Sequence, residues 1–359
     1  MNPLLEHRAF LTRRQFFGRS ALGIGTAALA SLATAQSAEV KTGQAPQKAY
    51  EPATEKNDVL ARFETLKLGA FLVDPMTAGE GIWPGWEEYF KRPTRPASAY
   101  RPVKLDVEGW VSSLAKTGFQ YAVLSVKEGH GFCLWDSKFG DYDVGASDYK
   151  TDVLAEFVKA CRKHGIAPGF HYCLGKDRYQ QRDKGMTEEQ YSTYANNQIA
   201  ELMTQYGPIT SIWFSGFFPL PAVSPQRNRQ AYEIVKAAQP DCLVVVHANQ
   251  RPPGGGFLFW PTDVYQPGRT LPPAEGHNPR MQHGDKTYYI PCETAVAFHL
   301  PFGGPIHTNR PVAEVAQHCR DIIQRGSGAS IYLQVDSDGT LPQNQVQRLL
   351  ELQAALKSK

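Results

Sequence analysis

From residue 67 to the C-terminus the chain keeps repeating one phrase. A short run of branched and aromatic residues is followed by a loop, and the loop by a stretch with helical spacing. Tyr121-Ala-Val-Leu-Ser-Val126 is the clearest such run. It has no polar alternation, as expected of a strand covered on both faces, and strands of that kind belong to parallel sheets. Runs of the same character lie at Lys67–Val73, Ile166–Tyr172, Ile209–Phe214, Cys242–His247 and Ala329–Val335. Helical stripes separate them. Val107, Trp110, Val111 and Leu114 share one face of a helix over Asp106–Lys116. Val153, Leu154, Phe157, Val158 and Cys161 do so over Thr151–His164, where Gly165 is the expected stop. A long helix over Thr187–Tyr206 opens on a capping box, Thr187 with Gln190. Further helices are expected over Gln226–Ala238, Pro311–Gln324 and Asn344–Leu356.

A Gly- and Pro-rich stretch, 250–286, interrupts the alternation; Phe257–Val264 is read as a sixth strand within it and Tyr288–Cys292 as a seventh. The count makes eight β-then-α units, and the expected fold class is α/β: a (β/α)8 TIM-like barrel in one domain spanning 57–359. An open doubly wound sheet is the alternative. No G-x-G-x-x-G follows the first strand, so dinucleotide binding is disfavoured and no cofactor is implied.

Residues 1–38 read as an address. Thr12-Arg13-Arg14-Gln15-Phe16-Phe17 is a twin-arginine signal, the apolar stretch Ala21–Leu32 is shorter than a bilayer span, and Ala33-Thr34-Ala35 suits signal cleavage. Export to the periplasm or the cell exterior is expected, with no membrane association once the signal is removed. Residues 39–56 read as a linker. The formal charge of +3 comes from the signal, where Arg8, Arg13, Arg14 and Arg19 outweigh Glu6. The remainder is near neutral, which argues against a nucleic-acid partner. Six cysteines, none in a CxxC pair, read as buried thiols, with one or two disulfides open after export.

In a barrel the residues just after each strand share one mouth, where active sites form. Asp74 follows the first strand. Glu128 and His130 follow the second, with Trp135 as a flat apolar wall. His171 ends the third; Trp213 and Ser215 end the fourth. Asp263 and Glu293 follow the sixth and seventh. Trp86 lies in the first loop and can stack on a sugar ring. Carboxylates, imidazoles and indoles around one opening suit carbohydrate chemistry, in which two carboxyl groups act as acid, base or nucleophile. A divalent-metal cluster of Asp74, Glu128, His130 and His171 is an alternative that nothing in their spacing demands, and no metal site is assigned.

Several stretches resemble glycoside hydrolase family 29, the α-L-fucosidases. YAVLSVKEGHGFCLWDSK, Tyr121–Lys138, is similar to the family's Tyr-Ala-Val-Leu-(two residues)-Lys-His-His-Asp-Gly-Phe-x-Leu-Trp-Asp-Ser-Lys. ACRKHGIAPGFHYCL, Ala160–Leu174, is similar to ACRK-G-x-x-x-G-x-Y-Y-S-L. Ile212-Trp-Phe-Ser-Gly216 resembles IWFDG, and Ser330–Gly339 resembles the family's closing segment. The resemblance runs in order over 62–357 and implies the barrel and a sugar-cleaving ancestry. It also implies departures. Ser215 stands where the family has its nucleophilic Asp. Glu128 and Gly129 replace paired histidines, His130 replaces an Asp, and Val73 replaces a further His. Glu293, in Pro-Cys-Glu-Thr, is similar to a Glu that is a general acid/base candidate in some members.

The expected function is therefore an exported glycoside hydrolase with a reworked site. Glu293 is expected as the acid and Glu128 or Asp263 as the replacement carboxylate. Asp74, Trp86, His130, Trp135, His171, Trp213 and Ser215 are expected to contact the carbohydrate. A non-catalytic carbohydrate-binding barrel and a metal-assisted or eliminating reaction on a sugar are the alternatives.

Overall fold

The structure, a computed structural model, describes residues 49–358 apart from 79–85, 176, 217–223, 250–256 and 299–309. The signal segment and most of the expected linker lie outside the described residues. The compact unit begins at Tyr50 rather than residue 57. Residues 50–56 already bond to it: Arg229 donates to the Tyr50 carbonyl, and the Tyr289 amide to that of Ala53.

Eight parallel strands close into a barrel. They are β1 (Leu68–Val73), β2 (Tyr121–Lys127), β3 (Ala167–Cys173), β4 (Ser211–Ser215), β5 (Leu243–Val246), β6 (Val264–Tyr265), β9 (Cys292–Ala297) and β10 (Ser327–Gln334); β10 pairs back onto β1. The open-sheet alternative is thereby excluded. A separate antiparallel hairpin, β7 (Arg280–His283) with β8 (Lys286–Tyr289), precedes β9.

Helix α1 (Asp58–Thr65) precedes β1 and presses Leu60 and Phe63 against the apolar interior of the barrel. Helices α2 (Val107–Lys116), α3 (Val153–His164), α4 (Glu188–Gln205) and α5 (Pro225–Ala238) follow β1 to β4. Helices α6 (Val312–Gln324) and α7 (Gln343–Lys357) follow β9 and β10. The expected caps form: Gly165 closes α3 at φ 69°, and Thr187 and Gln190 cap α4 reciprocally.

The two expectations for the Pro-rich region need correction. The sixth strand is only Val264–Tyr265, because Thr262 and Asp263 turn their side chains back onto β5. Tyr288 and Tyr289 belong to the hairpin, and the seventh barrel strand starts later, at Cys292. Their aromatic character has another cause. Tyr288 packs with Phe257, Met281 and Ile290, and Trp260 stacks on His283 at 4.2 Å, in a small apolar cluster of their own.

Parallel pairing fixes which side chains fill the barrel. Tyr121, Val123, Trp213, Leu243, Val245 and Val264 point inward, with Phe71 stacked on Tyr332 at 4.4 Å. Gly69 is obligatory: a Cβ there would lie 1.9 Å from the Tyr121 ring. All six cysteines are buried free thiols. Among the described residues no helix is long and apolar enough to cross a membrane.

Candidate active site

The mouth at the C-terminal strand ends carries two hydrogen-bonded groups. The first joins β1 to the loop after β2. Asp74 is 1 % exposed and accepts from the Thr77 amide (3.0 Å) and hydroxyl (2.6 Å). His130 Nε2 lies 3.5 Å from its Oδ1 and 3.2 Å from the Thr77 hydroxyl. His130 Nδ1 accepts the Phe132 amide at 2.9 Å, so the ring proton sits on Nε2 and faces Asp74. Burial alone would raise the pKa of Asp74. The electrostatic effect of the adjacent His130 ring, with hydrogen bonds from His130 and Thr77, outweighs it and holds the carboxyl below its ordinary value.

The second group runs across β2, β3 and β4. Ser125 Oγ donates to Glu128 Oε1 at 2.7 Å and lies 3.0 Å from His171 Nδ1. Glu128 Oε1 is itself 3.3 Å from Nδ1. On the far side of the ring, His171 Nε2 is 2.7 Å from Ser215 Oγ. The strand register brings these residues together, since Ser125 pairs with His171 and Cys173 with Ser215. The Glu128 side chain is 21 % exposed, whereas Ser215 is 6 % and His171 2 % exposed. Burial, then the nearby Asp74 charge, pushes Glu128 up to about 7. Burial and then His247 push His171 down to about 3, with Asp74 acting in the opposite sense. The imidazole is neutral near pH 7.

An aromatic floor lies below. Phe71 meets His171 edge-on at 4.9 Å and Trp213 at 5.7 Å; Tyr332 donates to or accepts from His247 Nε2 at 2.8 Å. Trp213 is fully buried in this floor, so it supports the site from beneath.

Three expected site residues stand elsewhere. Glu293 is the second residue of β9, inside the barrel and 0 % exposed, not at a strand end. Burial lifts it to about 8, with the hydroxyls of Tyr121 and Ser330 acting in the opposite sense without closing to hydrogen-bond geometry. Asp263 precedes β6 and is consumed by structure. It accepts from Tyr232 (2.8 Å) and the Val244 amide (2.8 Å) and pairs with Lys236 at 2.6 Å. Trp135 is packed in the core, where its Nε1 donates to Glu201 at 2.8 Å, so it forms no wall of the mouth. Trp86 begins the short helix Trp86–Lys91, and its side chain lies outside those described. Among the described residues no three His, Cys, Asp or Glu side chains are grouped to hold a metal. Both ring nitrogens of His171 are engaged by serines.

Sequence reasoning missed Ser125, Thr77 and Tyr332. Ser125 carried a signal, being the one serine within the apolar run Tyr121–Val126.

The chain matches the family model for alpha-L-fucosidase over residues 86–358. It belongs to the alpha-L-fucosidase family. It is 36% identical over 122 residues to Alpha-L-fucosidase 1 of Arabidopsis thaliana, a match covering 33% of this chain and 24% of the relative. It is 35% identical over 122 residues to Putative alpha-L-fucosidase 1 of Oryza sativa subsp. japonica, covering 33% and 23%. These matches thus span about a quarter of the length of the curated relatives. Among solved structures it is similar to Alpha-L-fucosidase isoenzyme 1 from Paenibacillus thiaminolyticus, with a TM-score of 0.67, 20% identity and coverage of 84% of this chain and 76% of that one. It is also similar to a putative alpha-L-fucosidase from Bacteroides thetaiotaomicron, with a TM-score of 0.69, 20% identity and coverage of 86% and 78%. At such identity the likeness shows the shared (β/α)8 barrel.

Proposed function

We propose that this protein is an exported glycoside hydrolase that cleaves a glycosidic bond in an oligo- or polysaccharide with a reworked active site. The observation that carries the reading is the contrast between two carboxyl groups of one mouth. Glu128 is raised to about 7 and reaches solvent, while Asp74 is held low by His130 and Thr77. Environments that drive two carboxyls apart sort them into proton donor and fixed anion. Glu128 is the proton donor to the leaving oxygen. Burial and the Asp74 anion beside it favour its protonated form, with His130 acting in the opposite sense. The aromatic floor of Phe71, Trp213 and Tyr332 is the apolar support under the sugar. Family membership supports the carbohydrate substrate, and the twin-arginine segment supports export.

Release of sugar from a panel of aryl glycosides, fucosides included, and of plant and algal polysaccharides tests this. Glu128→Gln should lower kcat/KM by about 100-fold or more, the scale of general acid catalysis. The wild-type rate should fall as pH rises through about 7, where Glu128 loses its proton. Glycoside release that is unchanged in the variant would overturn the assignment. Absence of release with sugar binding retained would leave a carbohydrate-binding barrel.

A further inference from the structure

We infer that Ser215, His171 and Glu128 form a nucleophilic relay that hydrolyses an acyl ester carried on a carbohydrate hydroxyl. The inference goes beyond the glycosidic reading and does not require it.

Hydrogen-bond direction is the first support. Above about pH 7, where Glu128 is ionised, Ser125 gives its only proton to the carboxylate at 2.7 Å. Its oxygen can then only accept from His171 Nδ1, 3.0 Å away. With its proton on Nδ1, His171 presents a lone pair at Nε2, and Ser215 donates to it at 2.7 Å. The chain of donors therefore runs one way, from Ser215 through His171 to Ser125 and Glu128. Glu128 also stands 3.3 Å from Nδ1, where it can stabilise the imidazolium that forms when Nε2 takes a proton. A nucleophile bonded to a base, and a base oriented by a carboxylate, is the arrangement by which serine hydrolases are recognised on unrelated folds.

The departures from the family pattern are the second support. Glu128 stands where that pattern has His, His171 where it has Tyr, and Ser215 where it has Asp. These three share one hydrogen-bonded chain, while the departures at Val73, Gly129 and His130 lie outside it. Burial keeps His171 neutral and disfavours its imidazolium, so proton transfer to Nε2 relies on the Glu128 carboxylate 3.3 Å from Nδ1.

Chemistry selects acyl over glycosyl transfer. A serine hydroxyl carries no charge to steady an oxocarbenium ion, but once its proton has a base it attacks an acyl carbon readily. In the step, the Ser215 Oγ–C bond forms as its proton passes to His171 Nε2. The ester C–O bond breaks and the sugar oxygen leaves with that proton. Water then attacks the acyl-serine and passes a proton to His171. Ser215 leaves and regains that proton, and the carboxylic acid is released.

The test uses the whole purified chain with p-nitrophenyl acetate, a peracetylated monosaccharide and a fluorophosphonate probe. A phosphonyl adduct on the peptide holding Ser215, found by mass spectrometry, is expected. Ser215→Ala and His171→Gln should each lower ester kcat/KM by about 1,000-fold or more, and Glu128→Gln should slow labelling in parallel with turnover. Thermal melts check that the variants fold. If one does not, the labelled site in the wild-type chain still decides. No adduct at Ser215, under conditions that label a known serine hydrolase, overturns the inference, as does ester turnover that survives Ser215→Ala. Glycoside release is read separately: sugar release with no adduct sinks only the ester relay, and an adduct with no sugar release sinks only the glycosidic reading.

Discussion

Glu293 offers the sharpest quantitative test of the fold. Its carboxyl is fully enclosed in the barrel, and neither oxygen has a hydrogen-bond partner among the described residues. Burial holds it protonated until about 8, against 4.5 for an ordinary Glu. Between those values the folded state binds a proton that the unfolded chain has released, so stability falls as pH rises. It is flat below about 4.5 and above about 8. At 1.36 kcal/mol per pH unit, the gap between the two values corresponds to about 5 kcal/mol lost across the window. Glu293→Gln keeps the shape and removes the titration. The variant should match the wild type near pH 4 and be more stable by about 3 kcal/mol at pH 7. Urea unfolding of both chains at pH 4, 5, 6, 7 and 8 measures the difference, and the Glu128 contribution cancels because both chains carry it. Parallel stability curves would refute the argument, since they would mean that Glu293 titrates alike in both states. The same variant also bears on chemistry. Tyr332 lies two residues toward the mouth from Ser330 on β10, whereas Glu293 pairs lower down, with Gly328. Loss of turnover without any change in stability would return Glu293 to the reacting groups.

Two further variants probe what holds the mouth in place. Glu201 accepts from Trp135 Nε1 (2.8 Å), Ser137 Oγ (2.9 Å) and the Lys138 amide (3.0 Å), so Glu201→Ala strands three donors and should cost about 3 kcal/mol or more in urea unfolding. A loss under about 1 kcal/mol would show that water replaces the carboxylate. Lys127 is fully buried and pairs with the equally buried Asp177 at 2.9 Å, while its ammonium faces the rings of Tyr172, Tyr191 and Tyr194. Lys127→Met leaves an uncompensated anion and should cost about 3–5 kcal/mol. Adding Asp177→Asn should recover part of that loss. A double variant as unstable as the sum of the two single ones would argue that the pair is not coupled.

The parts of the fold that were legible in the sequence are those fixed by local chemistry. The run Tyr121–Val126 has one reading because seven consecutive residues of β2 are buried on both faces. The Gly165 stop and the Thr187 capping box depend on a few adjacent residues. The mouth group of Asp74, Glu128, His130, His171 and Ser215 was legible because each sits at or just past the end of a strand whose limit was clear. What misled was parity and register. A strand covered on both faces has no alternation, so nothing in Cys292–Ala297 tells that Glu293 points inward at the level of Gly328. The aromatic run ending at Tyr289 imitates a barrel strand but serves a hairpin cluster. Read that way, it places Glu293 a strand's length too far along the chain's path, at an opening it does not reach. Asp263 fails for the related reason that β6 is two residues long, so a residue expected after the strand in fact precedes it. Ser125 is the converse case. A serine at an inward position of an apolar strand, 0 % exposed, costs free energy unless it is bonded, and its partners, His171 and Glu128, are what make that strand end more than a wall. Ser125 thus joins Glu128 to His171 and, through its ring, to Ser215.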